Sequence, residues 1–261
     1  WTDTMTQSIG PRAPHRPTHS TSHSTSHSTS HSTSHSTSQS TATGFAFTFT
    51  GAELIALGSG ALWWQAENLL CVSDLHLGKS MRFARTGGAS LPPYQTQATL
   101  LKLETDLEAT GATTVVCLGD SFDDRRAVGE LAEPDRVWIT RLQAGRRWIW
   151  IEGNHDPGPL DIGGTHRANL SCGALFFHHV AALEQSGEIS GHYHPKIHLK
   201  TAAGRVSRSC FLHDTARVIL PAYGAYTGGL DLSHSIFQTL MGPGTLAILS
   251  GKTPRPVPMP R

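Results

Sequence analysis

The sequence has little of what a membrane protein, a disulfide-rich secreted protein or a bulk polyanion binder needs. No uninterrupted apolar run in its 261 residues approaches the roughly 18 residues that span a bilayer. The polar N-terminus lacks the apolar core of a secretory signal. The four cysteines are isolated, with no Cys-x-x-Cys pair, and the net charge is only +1. Together these absences favour a cytoplasmic protein without a disulfide framework.

The first 43 residues differ from the rest in composition. Residues 19–38 repeat His-Ser-Thr-Ser five times and contain no apolar side chain. Because such a segment does not bury enough apolar surface to offset its ordering entropy, residues 1–43 are predicted to be a disordered, low-complexity tail. A weak metal-scavenging role for the repeated histidines is the alternative. The remaining residues, 44–261, are enough for one domain with a sizeable core.

Residues 44–261 show an alternating pattern of strands and helices. The predicted elements are, in order, strands 45–50, 54–57, 61–65 and 69–72, helix 94–108, strand 114–118, helix 131–142, and strands 147–151, 174–177, 188–190, 197–200, 209–212 and 218–220. The strand-helix alternation in the first half implies parallel strands with right-handed crossovers. The short strands of the second half predict a second, largely antiparallel sheet packed on the first.

Residues 71–79, Cys-Val-Ser-Asp-Leu-His-Leu-Gly-Lys, place two candidate ligands at the end of a predicted buried strand. On an extended chain, side chains two positions apart point to the same side, so Asp74 and His76 can reach one ion. An oxygen and an imidazole nitrogen suit Mn, Fe or Zn better than Ca. Taken alone, such a pair is more often a hydrogen-bonded strand end or turn.

Residue types that bind metals recur at five predicted strand ends. In open α/β sheets, functional groups gather at the carboxyl ends of the strands, so these residues are expected at one edge. The candidates are Asp74 and His76, Asp120, Asn154 with His155 and Asp156, His178 or His179, and His192 with His194. A single histidine is more often structural, but five independent strand ends carrying such residues favour a shared metal centre.

The order of these motifs resembles that of the calcineurin-like metallophosphoesterases. The matching residues are Asp-Leu-His at 74–76, Gly-Asp at 119–120, Gly-Asn-His-Asp at 153–156, His179, and Gly-His-Tyr-His at 191–194. More narrowly, the segments 74–79, 91–94, 119–122, 148–150, 220–224 and 226–229 resemble the bacterial DNA-ligase-associated DNA damage response endonucleases. The resemblance covers about residues 45–250.

The resemblance implies an α/β fold, namely a four-layer α/β/β/α sandwich with two mixed sheets that follows the disordered tail. It also implies two divalent metal ions about 3.5 Å apart. Mn is the expected metal, and Fe and Zn are the alternatives. Carried over by motif, one metal is expected at Asp74, His76 and His194 and the other at Asn154, His179 and His192, with Asp120 between them. The family pattern favours His179 over its neighbour His178.

The activity implied by the resemblance is phosphoester hydrolysis by a hydroxide that bridges the two metals. His155 is expected to donate to a phosphate oxygen or to protonate the leaving group, with Asp156 orienting its ring; the alternative is that Asp156 caps a turn before Pro157. DNA undergoing repair is the expected substrate, with DNA-ligase or helicase partners. Two alternatives stay open: hydrolysis of cyclic nucleotides or small phosphoesters at the same centre, and a non-catalytic protein-binding module.

Charged residues beside the motifs allow more than one interpretation. Five basic residues could form a local nucleic-acid patch or a solvated rim: Lys79, Arg82, Arg85, Arg125 and Arg126. Related proteins often carry a histidine where this chain has Asp123. The acidic pair at 123–124 could bind metal through water or repel a polyanion, but a solvated turn with Arg125 and Arg126 is the interpretation favoured here.

Overall fold

The computed structural model describes residues 43–87, 92, 94–201 and 204–260. They belong to one compact unit, residues 39–261. The predicted tail, residues 1–43, lies outside the described residues apart from residue 43. Leu91 and Pro93, two members of the motif at 91–94, lie outside them as well.

A seven-stranded sheet carries the first half of the domain, with its strands in chain order. They are β1 Gly44–Phe49, β2 Ala52–Leu57, β3 Leu62–Trp64, β4 Leu69–Val72, β5 Thr114–Leu118, β6 Arg147–Ile151 and β7 Thr165–Arg167. Strands β1 to β4 pair in antiparallel fashion, and β4 to β7 pair in parallel. The sheet is therefore mixed, and the predicted parallel order of β4, β5 and β6 is confirmed.

The apolar run of β4 is buried on both faces of this sheet. Leu70 and Val72 pack in the cluster that includes helical side chains, whereas Leu69 and Cys71 pack in the cluster between the two sheets. Successive strand residues point to opposite faces, so a strand covered on both sides needs a continuous apolar sequence. Strands β5 and β6 divide their side chains in the same way.

In the described part of the chain, a 3₁₀ helix, Gln65–Glu67, joins β3 to β4, and four α-helices connect the later strands of the first sheet: α1 Lys79–Arg85, α2 Gln95–Thr110, α3 Arg125–Glu130 and α4 Glu133–Gln143. Helix α2 buries Leu100, Leu103 and Leu107. The helical spacing of Ala98, Leu101 and Leu107 in the sequence predicts Leu101 on the apolar face, but Leu101 is 58% exposed. Helices α1 and α3 were not predicted, because segments so short carry too few apolar residues to show a helical period. None of the helices in the described part of the chain combines the length and apolarity that crossing a membrane requires.

The second sheet has eight strands and one covering helix. They are β8 Leu170–Cys172, β9 Leu175–Phe177, β10 Glu188–Ser190, β11 Lys196–Thr201, β12 Gly204–His213, β13 Arg217–Ile219, β14 Leu246–Leu249 and β15 Arg255–Pro258, with α5 Ser235–Leu240. The order is β15-β14-β12-β13-β10-β9-β8, and β11 pairs with β12. Strands β9, β10 and β13 are parallel, and the other pairs are antiparallel.

Three apolar clusters separate the layers of the domain. The first joins the outer face of the first sheet to helices α2 and α4, through residues such as Leu103 and Ile139. The second lies between the two sheets, where Val116 and Phe211 belong to one cluster. The third joins the second sheet to α5 around Phe237. Three interfaces between four layers confirm the expected α/β/β/α sandwich.

Candidate metal centre

All the predicted ligand-bearing segments follow the carboxyl ends of strands. Asp74 follows β4, Asp120 follows β5, and Asn154 follows β6; His179 follows β9, and His192 with His194 follows β10. Because β4, β5 and β6 are parallel neighbours, and so are β9 and β10, each sheet delivers its group of side chains to one edge. The two groups meet where the edges of the two packed sheets coincide.

Five candidate ligands have backbone torsions that only glycine adopts easily. The φ angles are 54° at Asp74, 47° at His76, 45° at Asp120, 71° at His192 and 48° at His194. Among the described residues, eight non-glycine residues have a positive φ, and these five are the majority. A strained residue of this kind costs about 1–3 kcal/mol, and such residues concentrate at functional sites. The expected extended geometry at residues 74–76 is therefore wrong, because left-handed turns bring these side chains together.

Two motif glycines allow the backbone segments to approach one another. A Cβ atom on Gly191 would lie 1.7 Å from Ser73 Oγ and 2.6 Å from Asp74 Oδ2. A Cβ atom on Gly119, whose φ is 71°, would lie 2.5 Å from the ring of His179. Both distances are far below van der Waals contact, so the site closes only when these positions carry no side chain.

The first candidate cluster consists of Asp74, His76 and His194. One ligand atom from each lies within 4.8 Å of the others, and His194 Nε2 is 3.0 Å from Asp74 Oδ1. In the described structure, Asp74 Oδ1, His76 Nε2 and His194 Nε2 are buried and form no hydrogen bond of normal geometry, whereas His76 Nδ1 faces the Asp123 carboxylate. Buried polar atoms without partners are costly, and a cation between them would supply the missing contact.

The second candidate cluster consists of Asp120, His179 and His192, with Asn154 beside it. His179 Nε2 is 3.3 Å from Asp120 Oδ2, 3.0 Å from Asn154 Oδ1 and 3.2 Å from His192 Nδ1. The other ring nitrogen of His179, Nδ1, donates to the carbonyl oxygen of Leu118 at 2.7 Å. In the neutral ring the Nε2 lone pair then faces the other three side chains, which is the tautomer that binds a metal.

The electrostatics of both clusters favour bound positive charge. Burial opposes ionisation of Asp74, but its contacts with His194 and the neighbouring histidines hold its pKa below its ordinary value. Burial disfavours the charged form of His179, yet the carboxylates of Asp120 and Asp74 raise its pKa to about 9. In the absence of a metal, a proton on His179 partly offsets these carboxylates, and a cation would do so more fully. Carboxylate, imidazole and amide donors together fit a borderline divalent ion.

The adjacent histidines 178 and 179 point in different directions. His179 is 4% exposed and lies in the second cluster. His178 Nε2 instead contacts Glu188 Oε1, and Glu188 also pairs with Arg217. The structure thus brings His179 to the candidate centre and leaves His178 outside it.

His155 reaches the centre, but Asp156 does not orient its ring. His155 Nδ1 is 2.9 Å from the carbonyl oxygen of Asp123, and His155 Nε2 is 3.9 Å from Asp120 Oδ2. The Asp156 carboxylate accepts hydrogen bonds from the backbone amides of Ser121, Phe122 and Gly153. The expected orienting contact is therefore replaced by a carbonyl oxygen, and Asp156 fixes the backbone between β5 and β6. Burial and the nearby Asp120 raise the pKa of Asp156 to about 7.

Asp123 is buried, and the expectation of a solvated turn with Arg125 and Arg126 is wrong for it. It is 1% exposed, with Oδ1 3.0 Å from His76 Nδ1 and Oδ2 2.9 Å from the Arg82 guanidinium. Burial favours its neutral form, but these two contacts lower its pKa, so the carboxylate is charged. Its neighbour Asp124 caps α3 by accepting from the Ala127 amide and also pairs with Arg85.

Two residues of the expected basic patch form these ion pairs, and a different set of basic residues borders the candidate metal centre. Arg82 and Arg85 are paired with acidic side chains. The groove beside His194 is lined instead by Lys196 and Arg208 among other residues. A sequence signal existed for these two, because residues 189–213 contain four basic residues and no acidic one. The acidic and histidine motifs alone do not point to these residues.

The fold and this site are those of a metal-dependent phosphoester hydrolase. Residues 68–228 match the family model described as calcineurin-like phosphoesterase, and the chain belongs to that family. Its structure is similar to the crystal structure of the nuclease MPE from Pseudomonas putida, with a TM-score of 0.62 and 26% sequence identity over 82% of this chain and 100% of that chain. No curated protein sequence matches the chain.

Proposed function

We propose that the protein is a phosphodiesterase that cleaves DNA and uses two divalent metal ions, preferentially Mn. The observation that carries this proposal is a basic groove that meets the candidate metal centre at His194. The metal centre supports phosphoester hydrolysis in general, and the groove supports a polymeric substrate. The similar structure is a nuclease, which agrees with this substrate class.

The groove has a volume of about 1110 Å³. This lies above the range of about 300–1,000 Å³ that is typical of sites enclosing a small molecule. Its basic lining residues are Lys102, Lys196, Arg208, Lys252 and Arg255, and no aspartate or glutamate is among the described lining residues. A groove of this size and sign suits a polyanion better than a cyclic nucleotide.

Four of the five basic residues that line the groove have no acidic partner in the described structure and are available to phosphates, whereas the Lys102 ammonium group is buried. Within the part of the chain that the structure describes, Lys196, Arg208, Lys252 and Arg255 form no ion pair with an acidic side chain, in contrast to Arg82 and Arg85. Arg208, Lys252 and Arg255 are exposed. Release of counterions from the phosphates that they neutralise would drive binding of a strand.

The proposed chemistry assigns one role to each group of residues. The ligands proposed for the first metal are Asp74, His76 and His194, those for the second are Asn154, His179 and His192, and Asp120 lies between the two sets. Bound there, two divalent cations would stabilise the charge that develops on the phosphoryl oxygens. The histidines and the amide contribute coordination without negative charge, so a metal pair held by only two carboxylates keeps a net positive charge that attracts phosphate.

His155 is proposed to act on the proton of the leaving group. Its Nδ1 faces the Asp123 carbonyl oxygen, which can only accept, so Nδ1 carries a proton. Nε2 faces Asp120, and the side chain is 33% exposed, which gives substrate access to it. In the doubly protonated ring, Nε2 can donate to a phosphate oxygen or to the departing oxygen.

The biological setting belongs to the same proposal. A role in DNA repair beside a DNA ligase or helicase is supported by the motifs shared with the DNA-ligase-associated endonucleases. A cytoplasmic location is supported by the free cysteines, three of which are buried as small apolar side chains.

A substrate screen tests the proposed activity. The Mn-loaded protein is incubated with single-stranded DNA, duplex DNA, cyclic nucleotides and a generic phosphodiester ester. Nicking or digestion of DNA is expected. Hydrolysis of cyclic nucleotides without cleavage of any DNA would reverse the choice of substrate.

A charge-reversal pair tests the groove. Arg208→Glu should weaken binding of a fluorescent single-stranded oligonucleotide and lower the slope of log affinity against log salt by about 0.7, the value for one lost phosphate contact. Arg147→Glu is the matched control, since Arg147 is an exposed residue at the start of β6, at the opposite end of the strand from the metal centre. An equal loss of oligonucleotide affinity in the two variants would show that only net charge, and not the groove, determines binding.

A further inference from the structure

Two exposed aromatic side chains lie together on the surface of this domain. Tyr94 is 53% exposed and Tyr226 is 52% exposed, and they are the aromatic members of the exposed large apolar side chains in the described structure. Their ring centroids are 6.2 Å apart with an interplanar angle of 66°. Aromatic rings are usually buried because of their large apolar area, so an exposed pair indicates a surface that binds something.

Hydrogen bonds tie this pair to the candidate metal centre. Gln95, which follows Tyr94, donates from Nε2 to the carbonyl oxygens of His76 and Ala225 at 3.3 Å each. The backbone amide of Gly224 donates to the Asp74 carbonyl oxygen at 3.0 Å. Both tyrosines are thus held by the segment that carries Asp74 and His76.

Tyr226 also belongs to the basic groove. It lines the groove together with His194 and Lys196, and Lys196 Nζ donates to the carbonyl oxygen of the next residue, Thr227, at 2.9 Å. The φ angle of Tyr226 is 58°, so the backbone is held in a left-handed conformation that is unfavourable for a bulky residue. The fold therefore accepts local strain at a position where the ring is exposed and gains little from burial.

We infer that Tyr94 and Tyr226 form a stacking platform for a nucleobase of a single-stranded polynucleotide, next to the phosphodiester presented to the metal centre. This inference rests on the proposed function and adds to it the residues that recognise the bases. Aromatic side chains beside a basic groove are the recurring way in which proteins bind single strands, because every base offers a face for stacking. A base within a duplex is already stacked and paired, so its faces are not available to the tyrosines.

The charge around the platform favours a nucleobase over an apolar protein segment. The groove that continues from Tyr226 is lined by basic residues, by small residues and by the aliphatic side chains of Leu199, Val206 and Leu249, and an acidic side chain is absent from its described lining. A strand that places one base on the tyrosines would run its phosphates along Lys196 and Arg208. An apolar peptide would gain from the rings and the aliphatic lining residues but would leave these cations uncompensated.

The test compares two single-stranded oligonucleotides of the same length, one with normal bases and one in which every base is replaced by a tetrahydrofuran abasic site. Both carry the same phosphate backbone, so their ratio of kcat/KM isolates the contribution of the bases. The Mn-loaded wild-type protein should prefer the base-bearing strand by about 5- to 150-fold. Tyr226→Ala and Tyr94→Ala should each reduce this preference, whereas Tyr226→Phe should keep most of it. Leu101→Ala, at another exposed apolar residue, is the control and should leave the ratio unchanged.

Each outcome separates the inference from the proposed function. If both strands are cleaved equally well by the wild type, or if Tyr226→Ala keeps the full preference, the platform is refuted while the nuclease activity stands. If neither strand is cleaved but cyclic nucleotides are hydrolysed, the proposed function and the platform both fail. A matching melting temperature for each variant and the wild type shows that a lost preference does not come from unfolding.

Discussion

Replacing Asp123 should weaken one metal position without removing any proposed ligand. Its carboxylate is 3.0 Å from His76 Nδ1 and 2.9 Å from the Arg82 guanidinium, and it is almost fully buried. With Nδ1 facing the carboxylate, His76 presents Nε2 to the first candidate cluster. A carboxylate on the far nitrogen fixes the tautomer and ring orientation of a ligating histidine and raises its basicity. In the Asp123→Ala protein, the imidazole of His76 loses this restraint.

The magnitude follows from the kind of contact that is lost. Loss of the partner of a ligating histidine typically lowers metal affinity by about 10- to 100-fold, which corresponds to about 1.4–2.8 kcal/mol. Arg82 is left without its acidic partner, but its side chain is 37% exposed, so water can replace that contact. The loss of affinity should therefore exceed the loss of folding stability.

Calorimetric titration of the metal-free protein with Mn measures this effect. Wild type is expected to show two sites, and Asp123→Ala should weaken one of them. Asp124→Ala is the control, since it removes a carboxylate that caps α3 at the Ala127 amide, 2.8 Å away, and pairs with Arg85. It should cost about 0.5–2 kcal/mol of stability and leave both Mn affinities unchanged. Unchanged Mn affinities in Asp123→Ala would refute the positioning role.

Four further changes have defined outcomes. Asp74→Ala should abolish Mn binding at one position and nearly all hydrolysis, with an unchanged far-UV circular dichroism spectrum. His155→Ala should keep both metals by calorimetry and lose about 10²- to 10⁴-fold in kcat, and normal turnover would remove its catalytic role. Burial lowers the pKa of Lys102 from 10.5 to about 8 despite the nearby Asp106. Between pH 8 and 10.5 the unfolded chain binds more protons at this lysine than the folded protein does, so the free energy of unfolding of wild type should rise with pH relative to that of Lys102→Met. Urea denaturation across this pH range measures the difference, and a difference that stays constant would contradict the lowered pKa. Deletion of residues 1–43 should leave melting temperature and activity unchanged, because β1 begins at Gly44.

Elements buried on both faces were predictable from the sequence. Strands β4, β5 and β6 have the predicted bounds, Leu69–Val72, Thr114–Leu118 and Arg147–Ile151. Their signal is local, because a strand covered on both sides must be apolar throughout. Helices α1 and α3 escaped prediction because they are short, and α3 depends on the Asp124 cap. The predicted burial of Leu101 is wrong because the adjacent Leu100 and Leu101 leave the buried side of α2 undecided in the sequence.

The types of residue at the candidate site were also readable from the sequence, whereas their geometry was not. An aspartate and a histidine after an apolar run indicate ligand chemistry without any knowledge of the fold. Their convergence depends on left-handed turns at Asp74 and His76, which other segments of the chain hold in place. The partner of Asp123 was likewise undecided, because a carboxylate that looks solvated in sequence is buried here against His76 and Arg82.

The sequence by itself determined the layered α/β architecture, the strand ends that carry candidate ligands and the family. These properties depend on apolar patterning and residue chemistry within short segments of chain. The tertiary structure decided which side chains meet. The His192 amide reaches Asp74 Oδ2 across 118 residues of sequence, and the tyrosine pair and the basic groove are likewise assembled from distant segments. Contacts between distant segments follow from the packing of two sheets, which no local pattern specifies.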